Sequence, residues 1–434
     1  MDHLLTARSI MAFSLGFHII FAAVGMTMPF FMATSHYLYL RHGKKEDLAL
    51  TQMWSKGVAI LFAVGAVSGT TLSFELGLLW PNFMKYAGPI IGMPFSWEGT
   101  AFFLEAIFLG LFLYGWKKMP HWAHWLSGLM VGVFGFASGI FILSANSWMN
   151  SPSGFDWVNG AATNIDPVKA MFNQAWLHQT IHMQLAALQA VGLAVAGIHA
   201  ILLLKNRHRD LNLKAMKISL FFGAVAALLQ PLSGHFAAQR VAELQPAKLA
   251  ALESHFKTEK NVAIIIGGIP NMETQEVDYA IKIPGVLSFL AFNDFNAEVK
   301  GLDQFPRDEW PPVLIVHIAF QIMVGLGTWM AALSALIFFL WWKGRLAKPW
   351  LLKLIAITAP LGFIALEAGW VVTEVGRQPW VIYGILKTKD AVTDFPALQF
   401  HFWLFGILYL ILSFTAVWLL YRQVKVANAF MEEK

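Results

Sequence analysis

The stretch GWVVTEVGRQPW, Gly369 to Trp380, decides how this chain reads. It closes an apolar run long enough to cross a bilayer, and it does so on a glutamate and an arginine. A second stretch, WEGTAFFLE, Trp97 to Glu105, again places carboxylates in or at the mouth of an apolar run. An ionisable residue in hydrocarbon costs about 2.5–3.5 kcal/mol even on insertion scales. A chain that keeps several of them, along with buried histidines, does chemistry with charge or metal inside a membrane.

Composition agrees. Of 434 residues, 57% are hydrophobic and only 13% charged, and the mean hydropathy is +0.57. Soluble domains carry about 25% charged residues, so this deficit marks a polytopic membrane protein. The 18 Trp and 36 Phe suit interfacial belts and the packing of large flat ligands, although lipid-facing positions account for most of them. The absence of cysteine excludes disulfides, cysteine-ligated iron–sulfur clusters, thiolate haem ligation and c-type haem attachment in this chain. The net charge of +5 is spread over short clusters between apolar runs, which gives no nucleic-acid footprint. The first apolar run carries no cleavable signal pattern and is expected to be retained.

The apolar runs predict an all-α polytopic fold of nine transmembrane helices near 10–39, 54–80, 95–116, 123–147, 174–204, 213–236, 311–342, 351–374 and 400–422. Basic residues orient them. Arg41, Lys44, Lys45 and Lys56 follow span one. Lys117 and Lys118 follow span three. Lys205, Arg207, Arg209, Lys214 and Lys217 follow span five. Lys343, Arg345, Lys348 and Lys353 follow span seven, and Arg422 and Lys425 open the tail. The alternate short loops are poor in Lys and Arg. The positive-inside rule then puts the N-terminus outside and the C-terminus in the cytoplasm. The chain divides into spans one to six (1–236), a long outer connection (237–311), and spans seven to nine with the tail (312–434). Connections of that length are uncommon without a function. This one holds an amphipathic stretch, QPAKLAALESHF, and an apolar patch, VAIIIGGIP. It reads equally as an extramembrane cap and as a lid over an amphipathic substrate.

Candidate ligands gather at one depth. His18 and His182 lie about eight residues into spans one and five from the outer side, ~12 Å at 1.5 Å per residue. Met323 lies about 12 residues into span seven, Glu374 ends span eight, and Glu98 opens span three. A lone membrane histidine is more often a packing residue than a ligand, but five helices converging on one depth change that reading. Imidazole, thioether and carboxylate suit haem iron. His178 and His182 share a helix face, which alone is weak evidence. Glu98 and Glu105 are two turns apart on one face, which reads either as a proton relay or as a helix-mouth carboxylate with one paired acid. Glu367 and Glu374 repeat that spacing around Trp370. Arg377 either neutralises Glu374 or holds a haem propionate.

These residues resemble subunit I of the cytochrome bd quinol oxidase family, over nearly the whole chain. The motifs that carry the resemblance are GRQPW (376–380) with EAGW (367–370), WEGTAFFLE, SANSWMNSP (Ser144 to Pro152) and FQIMVGLG (Phe320 to Gly327). The resemblance implies His182, with His178 as the alternative, and Met323 as axial ligands of a low-spin haem b558. It implies His18 and Glu374 as ligands of the two haems of an oxygen-reducing site, haem b595 and haem d or a further haem b, with Glu98 beside them. It implies Glu105 and Ser138 in a proton path, Trp370 as the spacer between haems, and Arg377 and Asn146 in the haem environment. Lys248 and Glu253 match the quinol-binding pair, and 237–311 matches the quinol-binding loop. The implied activity is quinol oxidation at the outer face of a bacterial cytoplasmic (inner) membrane and reduction of O2 to water with cytoplasmic protons, charging the membrane without a pump. Implied partners are a homologous subunit II and a small single-span subunit. In two respects the chain differs from many members. Gln321 stands where they have arginine, a difference that bears on the potential of haem b558, and the quinol loop is of the short type. A cyanide-insensitive branch keeps the same ligands without haem d, and the sequence leaves both possibilities open. Two other readings compete. An electron-shuttling b-type cytochrome needs no open-site haem. A secondary transporter leaves Met323 unexplained and calls for inverted repeats, which the sequence does not show.

Overall fold

The computed structural model describes residues 3–392 and 398–432, with side chains of the last helix described to Gln423. Among the described residues, nine helices are long and apolar enough to cross a membrane, as the sequence predicts. They are span one (His3–His42), two (Lys45–Leu79), three (Pro81–Tyr114), four (His121–Asn150), five (Trp176–Leu204), six (Arg209–Leu244), seven (Val313–Trp342), eight (Pro349–Thr358 continued by Leu361–Val375) and nine (Leu398–Glu432).

Several helices outrun their apolar cores. Span one starts at His3 rather than 10, span two at Lys45 rather than 54, and span six reaches Leu244 rather than 236. Lys45 and Lys56 therefore lie within span two and not in a loop. Span three begins at Pro81, so Glu98 sits deep within the helix and does not open it. Hydropathy marks hydrocarbon thickness, whereas a helix continues into the interface as long as its backbone bonds close. Pro89 and Pro94 are tolerated inside span three. Pro360 does interrupt span eight, between Thr358 and Leu361.

Consecutive spans pack as pairs, one with two, three with four, five with six and seven with eight, and spans five to eight also contact one another as a four-helix unit. Gly192 and Gly223 let spans five and six touch backbone to backbone: a Cβ on Gly192 would lie 2.4 Å from the Gly223 Cα. Such small-residue seams drive helix association in lipid. One large core cluster joins span one (Ile19, Ala23, Met26) to span five (Ala187, Val191) and span eight (Leu366), with Trp370 packed against it. At the end of the bundle opposite the long connection, Lys214 of span six pairs with the buried Asp47 of span two at 2.6 Å. Large apolar side chains such as Phe103, Trp403 and Phe414 remain exposed, which suits surfaces facing lipid or another apolar chain.

The connection between spans six and seven is structured. It contains a short buried helix, Pro246–Leu252, then three antiparallel two-stranded ladders. Glu259–Lys260 pairs with Glu298–Val299, Ile264–Ile266 with Ile281–Ile283, and Ile269–Asn271 with Glu276–Asp278. The apolar patch VAIIIGGIP thus becomes strands. The stretch that read as amphipathic is buried on every side, Lys248 and Glu253 included.

Candidate functional site

Four groups of polar side chains line the bundle, three of them built around a predicted iron ligand. The first surrounds Glu374, near the end of span eight. Its Oε1 accepts from Asn146 Nδ2 of span four, and its Oε2 accepts from Arg377 Nη2 at 2.7 Å. Arg377 is buried, yet its Nε and Nη1 have no partner among the described residues. Buried guanidinium donors without an acceptor are costly, and an anionic ligand group such as a haem propionate would satisfy them. Asn150, one turn after Asn146, donates to the Asn146 Oδ1 and backbone oxygen. Asn150 Oδ1 in turn accepts from Lys248 Nζ at 3.0 Å.

Lys248 also donates to Gln245 Oε1 and Thr373 O, both at 3.1 Å. Its three acceptors are neutral. Burial lowers its pKa to about 7; Arg377 pushes the same way and Glu374 opposes. Glu253 caps the same short helix, but its surroundings differ. Burial raises its pKa to about 7, against the backbone N–H of Ile265, and its Oε2 has no partner among the described residues. The sequence pairs Lys248 with Glu253. The structure gives both to one buried helix but points them at different partners, because five residues turn a helix through about 140° beyond one full turn. A cleft lined by Lys248, Phe305, Arg377, Trp380 and Tyr383 opens beside Lys248.

The second group holds His18. Its Nδ1 lies 2.9 Å from Ser68 Oγ, and that hydroxyl donates its single proton to Gly65 O. With that hydroxyl's proton on Gly65 O, the imidazole donates from Nδ1 and keeps the Nε2 lone pair free, the tautomer a metal ligand requires. A Cβ on Gly69 would come 2.9 Å from His18 Cε1, so only glycine leaves this ring its place.

The third group lies within spans five to eight. His182 contacts Ser233 Oγ at 3.3 Å and Gln230 Nε2 at 3.2 Å, both on span six. Met323 of span seven sits against Gly369 of span eight, where a Cβ would lie 3.2 Å from the sulfur. Both ligand candidates thus face helices of one four-helix unit, Met323 through a glycine position that admits little side chain. Trp370 follows Gly369 and packs against the cluster to which spans one and five both contribute.

The fourth group joins spans three and four. Ser138 donates to Glu98 Oε1 at 3.1 Å, so the serine partners Glu98 directly and not Glu105. Glu105 is buried against Gly25 and Gly135.

Sequence reading gave no role to two groups found here. Glu75 of span two is fully buried and accepts from Ser14 Oγ at 2.7 Å; Ser14 lies one turn from His18. Its signal, an acid within the apolar run GTTLSFELGLLW, is the same one that marked Glu105. Asn150 lay inside the SANSWMNSP motif, but only the fold shows that it joins Lys248 to Asn146.

Residues 6–428 match the family model for cytochrome bd terminal oxidase subunit I. The chain belongs to that family. It is 32% identical over 98% of its length to the cytochrome bd ubiquinol oxidase subunit 1 of Bacillus subtilis (strain 168), covering 94% of that protein. It is 27% identical to the cytochrome bd-II ubiquinol oxidase subunit 1 of Escherichia coli (strain K12), with 96% of this chain and 95% of that one covered. Its structure superposes on the bd oxidase of Geobacillus thermodenitrificans with a TM-score of 0.92 at 36% identity, covering 98% of both chains. This multi-pass subunit I is therefore part of a terminal quinol oxidase, an oxidoreductase that uses haem and quinol and works in a complex with a subunit II. The orphaned donors of Arg377, the Nε2 of His18 and the glycine-backed Met323 fit haem.

Proposed function

We propose that this subunit oxidises quinol beside the Pro246–Leu252 helix at the outer face and delivers cytoplasmic protons to a buried oxygen-reducing site, charging the membrane without a conformational pump. His182 and Met323 would hold the low-spin haem b558. His18 and Glu374 would hold the two haems of the oxygen site, haem b595 and haem d or a further haem b. The bound haems supply electron transfer from quinol to oxygen.

The chain's own residues do the remaining work. Glu253 accepts a proton from a quinol hydroxyl; a carboxyl whose pKa is raised to about 7 is matched to that task near neutral pH. Lys248 orients the ring oxygen. Arg377 holds Glu374 on one side and offers its free Nε and Nη1 to a propionate. Glu105 and Glu98, with Ser138 on Glu98, pass protons inward along one helix face. Trp370 fills the space between the ligand-bearing helices. Proton release on the outer side and uptake from the cytoplasm would separate charge across the bacterial cytoplasmic membrane. A small single-span subunit would accompany subunit II.

The observation that carries this reading is the continuous chain Lys248–Asn150–Asn146–Glu374–Arg377, which joins the quinol residue to the ligand-bearing carboxylate. The test is a dithionite-reduced minus oxidised spectrum of the purified complex with pyridine haemochrome analysis. A far-red chlorin band beside b-type bands is expected if haem d occupies the oxygen site. Only b-type bands with quinol oxidase activity would put a further haem b there. No haem would refute the ligand assignment.

A further inference from the structure

We infer that His317 and Gln321 of span seven act as a side-chain strand that clamps the loop edge against which Glu253 rests, making both of them positioning residues for quinol oxidation. The inference rests on the proposed role of Glu253 in binding quinol.

The strand Ile264–Ile266 pairs on one side with Ile281–Ile283. A strand residue sends its N–H and C=O to the same side, and its neighbours send theirs to the other. Ile265 and Gly267 therefore share an edge that no backbone strand covers. Gln321 Nε2 donates to Ile265 O at 3.0 Å, and Gln321 Oε1 accepts from Gly267 N at 2.9 Å. One primary amide thus offers a donor and an acceptor to two successive groups of the edge, as a neighbouring peptide unit would. His317, one turn earlier and fully buried, lies with Nδ1 2.8 Å from Leu252 O and with Nε2 3.2 Å from Gly267 O; an imidazole with a single N–H donates to only one of the two, and the shorter contact is to Leu252. The last polar group of this edge, Ile265 N–H, faces the Glu253 carboxyl.

The edge is thus filled by three side chains, and Glu253 is one of them. His317 also holds the carbonyl of Leu252, the peptide that leads directly into Glu253. Displacing Gln321 frees Ile265, and with it the N–H that favours the charged carboxylate. Residue type matters here. Arginine has five donors and no acceptor, and glutamate when ionised has acceptors and no donor. Neither can serve both Ile265 O and Gly267 N–H. Glutamine can, through one donor and one acceptor on the same amide.

The test uses the assembled oxidase complex in lipid nanodiscs. Hydrogen–deuterium exchange of the unaltered complex should show the Ile265 and Gly267 amides protected like those of an interior strand. Exchange as fast as that of an open sheet edge overturns the clamp without any variant. Gln321→Leu and Gln321→Arg are then assayed with a short-chain quinol. Each should raise the quinol KM about tenfold, the effect of orphaning a buried hydrogen-bonding group, with a smaller fall in kcat. Each should also speed exchange across 264–267 with haem content retained. Gln321→Glu keeps only the acceptor for Gly267 and should fall between. An unchanged KM despite faster exchange overturns the inference. Glu253→Gln, run in parallel, separates two failures. If it leaves quinol kinetics untouched, the quinol reading fails; if it impairs them while the Gln321 variants do not, only the clamp fails.

Discussion

The pH dependence of quinol oxidation follows from the burial of Glu253. An ordinary glutamate ionises near 4.5, and burial raises this one to about 7. The displacement is worth about 3 kcal/mol, at ~1.4 kcal/mol per pH unit. A proton acceptor works only when deprotonated. Since its pKa is raised, the working form dominates above pH 7 and is lost as pH falls through that value. At pH 6 about one-tenth of the carboxyls remain charged, so kcat/KM should lie about threefold below the maximum that the Glu253 and Lys248 limbs together set near pH 7. An exposed glutamate would show no such loss until about pH 5. Lys248 runs the other way: its pKa is lowered to about 7, so its charge is lost as pH rises. The two limbs should meet near neutrality in a bell.

The assay is initial-rate oxygen uptake with a short-chain quinol between pH 5.5 and 8.5, normalised to haem content. Glu253→Gln should remove the acid limb and lower kcat/KM by about 10²- to 10⁴-fold, the usual contribution of a general base. Lys248→Gln should remove the alkaline limb and raise KM. An acid limb that persists unchanged in Glu253→Gln would refute the reasoning, because the titrating group would then lie elsewhere.

Three further outcomes are expected. Met323→Leu should abolish the low-spin b558 signal and quinol oxidation while the oxygen-binding haem still assembles; an unaltered b558 band in the reduced-minus-oxidised spectrum would remove Met323 from the ligand set. Gly69→Ala places a Cβ 2.9 Å from His18 Cε1, inside van der Waals contact, and overpacking of this kind costs about 1–3 kcal/mol; the haem at His18 should be depleted in a haemochrome count while b558 stays, and full occupancy would place that haem elsewhere. Glu105→Gln should slow oxygen uptake with haem content intact, and wild-type turnover would take Glu105 out of the proton path.

The nine spans were legible because hydrocarbon allows so few backbone solutions that apolar length alone marks a helix. Their ends were less so, since interfacial turns such as 3–9 of span one and 237–244 of span six carry ordinary polar residues. The ligand candidates stood out for the converse reason: an acid or histidine in an apolar run is expensive enough to be noticed one residue at a time. Partners are another matter. Ser138 reads as a proton-path residue, but its direct partner, Glu98, is not written in the sequence, and Asn150 and Ser68 look like any small polar residues. Hydrogen-bond partners 40 to 100 residues apart depend on which helix faces meet, and no local pattern encodes that.

The same lesson applies to Lys248 and Glu253. Their proximity in sequence suggests one binding pair, yet the short helix turns them to different structural neighbours. Lys248 reaches span eight at Thr373 O and, through Asn150 and Asn146, Glu374. Glu253 reaches the Ile265 edge, which Gln321 ties to span seven two residues before Met323. Each member of the proposed quinol pair is therefore anchored to a different ligand-bearing helix. Seating a quinol between them would load both helices at once, through hydrogen bonds a few ångströms long. A double-mutant cycle between Lys248→Gln and Gln321→Leu measures this. If the two anchors act independently, their effects on kcat/KM multiply; if quinol bridges them, the double variant loses less than the product, because the first substitution already breaks the joint contact.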